Sequence, residues 1–223
     1  MGDEKRKRKK EDVRSKSKKK KKEKTMKTLL KFKKTILILT LVLAIYFPLS
    51  TFAAVCVFRF PDRDVYKLFP KATNYKSVLK TIDKDAKGKI ETVLGQPLDP
   101  DETELTFYEI YRGKELVGMI HPHAERGEYG TIEVVWAFTL DGKIIDFTIQ
   151  RDREKKGKEL NSPEFRKQFA GKDIESPFVL EKTRQINTKL IKPVEGADQG
   201  SSAIAFGAKK TLAFYKYLFQ EVK

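Results

Sequence analysis

Residues 35–58 carry no charged side chain, while residues 1–34 carry 18 Lys or Arg against 5 Asp or Glu. So abrupt a change divides the chain before any other feature is considered. The uncharged run is 24 residues long, more than the roughly 20 that a helix needs to cross the hydrocarbon of a bilayer. It is expected to be a transmembrane helix. Pro48 is tolerated there because Ser50, Thr51 or neighbouring helices satisfy the backbone group it frees. A cleaved export signal competes with this reading, since Ser50-Thr51-Phe52-Ala53-Ala54 has the small residues of a cleavage site. The anchor is preferred, because such signals have an apolar region of roughly 7–15 residues and a much shorter basic segment.

The net charge of +16 is concentrated in the tail. Residues 1–34 sum to +13, and the remainder holds 29 basic against 26 acidic residues. With almost nothing apolar to bury, the tail cannot offset its ordering entropy and is expected to be disordered. Its place beside the apolar run points to anionic lipid headgroups, toward which each juxtamembrane Lys or Arg contributes on the order of 1 kcal/mol. No aromatic residues are interleaved to stack bases, which argues against nucleic acid. The basic side stays in the cytoplasm, so the chain is expected to be a single-pass protein of the cell membrane with residues 59–223 periplasmic or extracellular. The one cysteine, Cys56, lies within the span. The exported part therefore has no disulfide and depends on its core.

Beyond the span, residues 59–104 are expected to be a juxtamembrane connector followed by helices, and 105–223 a single folded domain with its entry region from about residue 65. Residues 59–70 place Arg59, Asp62, Arg63 and Asp64 at the membrane interface. Tyr75, Val78, Leu79 and Ile82, then Ile90, Val93 and Leu94, recur at helical spacing, with a break expected at Gly88. Residues 96–104 are a loop. Leu105-Phe107-Glu109-Tyr111 and Glu115-Val117-Met119 alternate as strands about the turn Arg112-Gly113-Lys114. Residues 131–140 and 143–150 are strands joined by the hairpin signal Asp141-Gly142. Residues 183–190 suggest a short strand or extended connection, and 203–219 a last helix. Hairpins segregated from helices imply an α+β fold with a single antiparallel sheet.

The last helix is preceded by Asp198-Gln199-Gly200-Ser201-Ser202-Ala203-Ile204, small and polar residues delivered to a helix N-terminus. That end has unpaired N–H groups and positive dipole charge, which Ser201 or Ser202 would cap or share with an anion. The stretch resembles the Asp-x-x-Ser-Gly-Ala-Thr signature of the FMN-binding domain family, which includes RnfG-type components of Rnf electron-transport complexes and NqrC-type components of sodium-translocating NADH:quinone reductase. Asp198, Ser201 and Ala203 match, while Ser202 replaces the glycine and Ile204 the threonine. In that family the threonine carries FMN through a phosphoester. Isoleucine has no hydroxyl, so the resemblance implies FMN bound without a covalent link if it is bound.

The resemblance extends upstream. Gly127-Glu128-Tyr129-Gly130-Thr131-Ile132 is similar to the family's Gly-Tyr-Gly-x-Ile strand, and Asn161-Ser162-Pro163-Glu164-Phe165 to its short helix. Val93-Leu94-Gly95, Phe107-Tyr108-Glu109 and Leu116-Val117-Gly118 are similar to its entry region, so the likeness covers residues 65–219. Between them Glu154-Lys155-Lys156-Gly157-Lys158-Glu159 stands where the family has Glu-Thr-Pro-Gly-Leu-Gly, keeping the acid and first glycine but putting a lysine where an apolar residue suits a flavin. The resemblance implies a cofactor site of Glu154 and Gly157 beside the ring, with Asp198, Ser201, Ser202 and Ala203 at the phosphate. It implies extracytoplasmic electron transfer with a redox partner protein or membrane complex. A non-redox structural or interaction subunit that keeps the fold without flavin is the alternative, and an exported module binding another ligand a third.

Other candidate chemistry is weaker. His121-Pro122-His123 supplies only two ligands without a cysteine and suggests a loop. Trp136 in an alternating strand is expected in the core. No histidine stands near the serines at a spacing that would activate one. The lysines of 155–158 are expected to be a solvated turn, with a cationic surface for phosphate or an acidic redox partner as the alternative.

Overall fold

The structure, a computed structural model, describes residues 61–220; the expected tail and transmembrane run lie outside them. Among the described residues no helix is long and apolar enough to cross a membrane. Period-two alternation from 104 to 151 builds most of the sheet. Strands β2 (Glu104–Arg112), β3 (Glu115–Arg126), β4 (Thr131–Phe138) and β5 (Ile144–Arg151) follow one another as an antiparallel meander, and β1 (Asn74–Thr81) adds to its free edge in the order β1-β2-β3-β4-β5. The turns at Gly113 and Gly142 fall where the sequence places them, with φ of +61° and +82°.

Strand β1 corrects the helix expected across Tyr75–Ile82 spacing. It pairs with β2 along its whole length, from Asn74↔Tyr111 to Thr81↔Glu104, and leaves Leu79 61% exposed. An apolar run this short fits either period, and the ladder with β2 decides the outcome. Asp83 then caps α2 (Lys84–Leu94) by accepting the Ala86 N–H at 2.8 Å, and Gly95 ends it in the left-handed region. The helix runs through Gly88 without the expected break.

Within the expected connector, α1 (Pro61–Leu68) puts proline and two acids in its first turn. Val65 and Leu68 pack onto Ile110, Ile120, Val135 and Ala137 of the sheet. Lys67 donates to Thr148 Oγ1 at 2.7 Å and Gln150 Nε2 to Asp64 at 3.0 Å, which pins the helix to β5. The other face carries the main core. There Phe107, Met119, Trp136, Phe138 and Phe147 lie beneath α2 and the long helix α5 (Asp198–Tyr215). Two short helices, α3 (Gly157–Leu160) and α4 (Pro163–Lys167), close one end; Ser162 caps the second. Trp136 is fully buried, as expected. These residues form an α+β unit with one five-stranded antiparallel sheet.

Two further expectations are corrected, and the open choice at residues 183–190 falls to a connection. His121-Pro122-His123 is in strand β3, because pairing with β4 continues to Arg126↔Thr131. Pro122 is accommodated where the β2–β3 ladder has already ended, at Ile120. Residues 183–190 form no strand, only the isolated bridge Val179↔Ile186. The last helix starts at Asp198, five residues before the expected start, since Ser201 N already donates to Ala197 O at 2.8 Å.

Candidate functional site

The early start of α5 changes what its motif can do. Asp198, Gln199 and Gly200 form the first turn, Ala197 stands at the cap without a side-chain bond, and the serines come next. Neither serine caps the helix. Ser201 is fully buried, and its Oγ accepts the Val194 N–H at 3.0 Å. Ser202 is half-buried and accepts the Ile186 N–H at 3.3 Å. The two hydroxyls thus brace the segment 186–194 against α5. Ile204, at the position of the family's modified threonine, is 1% exposed within the main core. Burying an isoleucine contributes roughly 1.5–3 kcal/mol, so this position holds the domain together.

Glu154 is brought to the same helix end. Its carboxylate accepts the Tyr129 N–H at 3.0 Å and fills the space left by two glycines. A Cβ on Gly127 would lie 2.3 Å from Glu154 Oε1, and one on Gly200 3.2 Å from Oε2. The carboxylate is therefore buried against the first turn of α5, where the helix dipole favours negative charge. Gly157 has a different neighbour: a Cβ there would collide with Asp152 Oδ1 at 2.2 Å. With Lys155, Lys158 and Asn161, Glu154 and Gly157 border an open depression on the surface. Lys155 turns its ammonium over the Tyr129 ring at 4.6 Å.

The cavity at the start of α5 has other walls. It measures about 660 Å3 and is bordered by Asp198, Gln199, Ser202 and Ala203 on the helix side. Facing them are Arg126, at the end of β3, and Arg184, Ile186 and Pro193 from the connection before α5. The volume lies in the range of roughly 300–1,000 Å3 typical of small-molecule sites. Two guanidinium groups and the carboxylate of Asp198 line it, and the guanidinium N–H donors suit a phosphate or carboxylate. Arg184 is half exposed, pairs with Glu125 and lies 4.5 Å from the centroid of the Phe206 ring. Burial alone would push Glu125 up, but the His123 hydrogen bond and the charges of His123, Lys210 and Arg184 hold its carboxyl below the usual range.

The structure thus brings Asp198, Ser202 and Ala203 to the cavity, turns Ser201 into the interior, and places Glu154 and Gly157 on the neighbouring depression. Arg126 and Arg184 are absent from the sequence-based expectation. Neither belongs to a motif, and Arg184 stands in a connection without regular structure. The row His121, His123, Glu125 was detectable as alternating titratable residues, but Pro122 argued for a loop.

Over 108 residues the chain is 32% identical to the RnfG-type component of the proton-translocating ferredoxin:NAD(+) oxidoreductase complex of Clostridium ljungdahlii. Over the aligned residues the chain is homologous to that component. That match takes in 48% of this chain and 57% of the relative, less than two thirds of its length. Among solved structures, NqrC of Shewanella oneidensis is similar with a TM-score of 0.48 and 12% identity, over 70% of this chain and 86% of that one. No family model matches the chain.

Proposed function

We propose that this chain is a membrane-anchored component of an electron-transfer complex of the Rnf type, and that its cavity at the start of α5 takes FMN without a covalent bond. The observation that carries the reading is the arginine-walled cavity beside a motif whose acceptor position is filled by a buried isoleucine. Arg126 and Arg184 suit the phosphate, and Ser202 and Ala203 form the adjoining wall. Ile186 and Pro193 offer apolar surface, and Glu154 with Gly157 border the neighbouring depression. Bound FMN supplies the electron transfer, while the protein supplies binding, orientation and electrostatics. In this reading residues 1–34 are the cytoplasmic tail on anionic lipid, 35–58 the anchor, 59–104 the entry segment and 105–223 the main part of the exported domain.

A second reading, a non-redox subunit that keeps the fold without flavin, is favoured by Glu154 and Gly157 opening onto a different depression from the arginines. Absorbance of the protein purified with FMN present separates the two. A yellow protein that releases all its flavin on acid denaturation is expected. A colourless protein with no affinity for added FMN sinks the flavin reading, and flavin retained in the precipitate sinks non-covalent binding. The double variant Ser202→Gly with Ile204→Thr restores the family spacing. It is expected to lose roughly 1–3 kcal/mol from the buried hydroxyl and to gain no covalent FMN beside a flavin transferase, as fluorescence on a denaturing gel would show.

A further inference from the structure

The interface between β3 and α5 is not wholly apolar. His121, His123 and Glu125 alternate along β3 and present one buried polar row to the helix. Gly207 makes room for it: a Cβ there would lie 3.0 Å from Glu125 Cγ and 3.4 Å from His123 Cδ2. Lys210, three residues on and 3% exposed, reaches Glu102 at 2.6 Å, Asp99 at 3.3 Å and Glu125 at 3.6 Å. His123 Nε2 donates to Glu125 Oε1 at 2.9 Å. Burying this many charges is costly unless each is paired, and an apolar row would pack as well.

The arrangement reaches the cavity at the start of α5 through Glu125. While Oε1 of Glu125 faces His123 and Lys210, Oε2 holds Nη2 of Arg184 in the cavity wall. Phe206 lies beneath the same guanidinium. An exposed arginine is ordinarily free to sample many rotamers, and ordering it on binding weakens the ligand. Here the group is held from two sides before a ligand arrives. A guanidinium has five N–H donors, so the Nη2 bond leaves others for an oxyanion. Lys210 stands behind Glu125, 3.6 Å from Oε1, and is shared with Glu102 and Asp99.

We propose that Glu125 is the positioning residue of an oxyanion site in this cavity, holding Arg184 toward the ligand, with Lys210 as the buried cation behind it. This role rests on the reading of the cavity as the ligand site. It concerns the oxyanion end of the ligand, whether that is the phosphate of a nucleotide or another dianion. The charged and titratable groups around Glu125 are His123 on its own strand, Lys210 on α5, Arg184 on the connection before α5, and Glu102 and Asp99 across Lys210.

Calorimetric titration of the full chain in detergent with sulfate tests this, since sulfate stays a dianion from pH 5 to 8 and carries no flavin. The lysine tail contributes the same background to every variant, and Arg184→Gln defines the part due to the cavity. Glu125→Gln and Arg184→Lys are each expected to weaken that part by about tenfold, the second because an ammonium lacks the planar fork that Glu125 and Phe206 hold. Arg184→Lys changes an exposed side chain, so it keeps the test open if Glu125→Gln unfolds. Lys210→Met is expected to bind normally at pH 8 and to lose affinity toward pH 5, as Glu125, left with His123 and Arg184 alone, takes up a proton more readily; the parent protein stays level. Unchanged or tighter sulfate binding by Arg184→Lys or a folded Glu125→Gln overturns the positioning role, and a level profile in Lys210→Met overturns the role of the lysine. Sulfate binding that depends on Arg184 and Glu125 in a protein without FMN affinity leaves this inference standing and removes the flavin reading.

Discussion

His121 shows how burial sets the behaviour of one residue. It is 2% exposed, stacks on Phe107 at 4.3 Å, and donates from Nδ1 to Thr106 O at 2.9 Å. Its Nε2 has no partner among the described residues. Burial first, and the neighbouring His123 second, lower its pKa to about 3. The folded protein therefore keeps it neutral where the unfolded chain binds a proton, from about pH 6.5 downward. Stability is expected to fall as pH drops through that window, by at most about 1.4 kcal/mol per pH unit from this group. Glu125, whose carboxyl is depressed, adds a loss only below its ordinary value of 4.5. Urea unfolding of the parent and of His121→Gln between pH 7 and 5 separates the two: the variant should show a flatter dependence. Equal slopes would mean that His121 is not held neutral by the fold. None of this was visible in the sequence, because a His-Pro-His triplet says nothing about which face of which strand it will occupy.

At the scale of elements, strands β2 to β5 and their turns were legible because long alternating runs and Gly-containing turns leave few alternatives. The segment 75–94 was not. Its apolar residues satisfy a helical period over a stretch that the edge of β2 claims as a strand, and its glycine suggested a break that α2 does not make. Gly88 is exposed, and a Cβ there would meet nothing within 4 Å. Glycine in a helix interior costs roughly 0.5–1 kcal/mol relative to alanine. Gly88→Ala is therefore expected to stabilise the protein by about that amount, read as a higher urea midpoint at unchanged slope. A loss of stability would show that the backbone at this position is not helical in solution.

For the whole molecule, the proposed arrangement divides the chain at the uncharged run. Protease added to intact cells or spheroplasts should cleave beyond residue 58 and spare the lysine tail; digestion of the tail with protection of the domain would reverse the orientation. The sequence by itself determined three things: the charge boundary at residues 34 and 35, the meander of hairpins, and the missing hydroxyl at Ile204. Each depends on neighbours along the chain or on the chemistry of one side chain, so no folding is needed to see it. Only the tertiary structure decided that Ser201 turns inward, that Glu154 fills the gap at Gly127 and Gly200, and that Arg126 and Arg184 share a wall. The last two of these join residues tens of positions apart, and the first depends on where the segment 186–194 packs against α5. Local sequence carries no record of such packing.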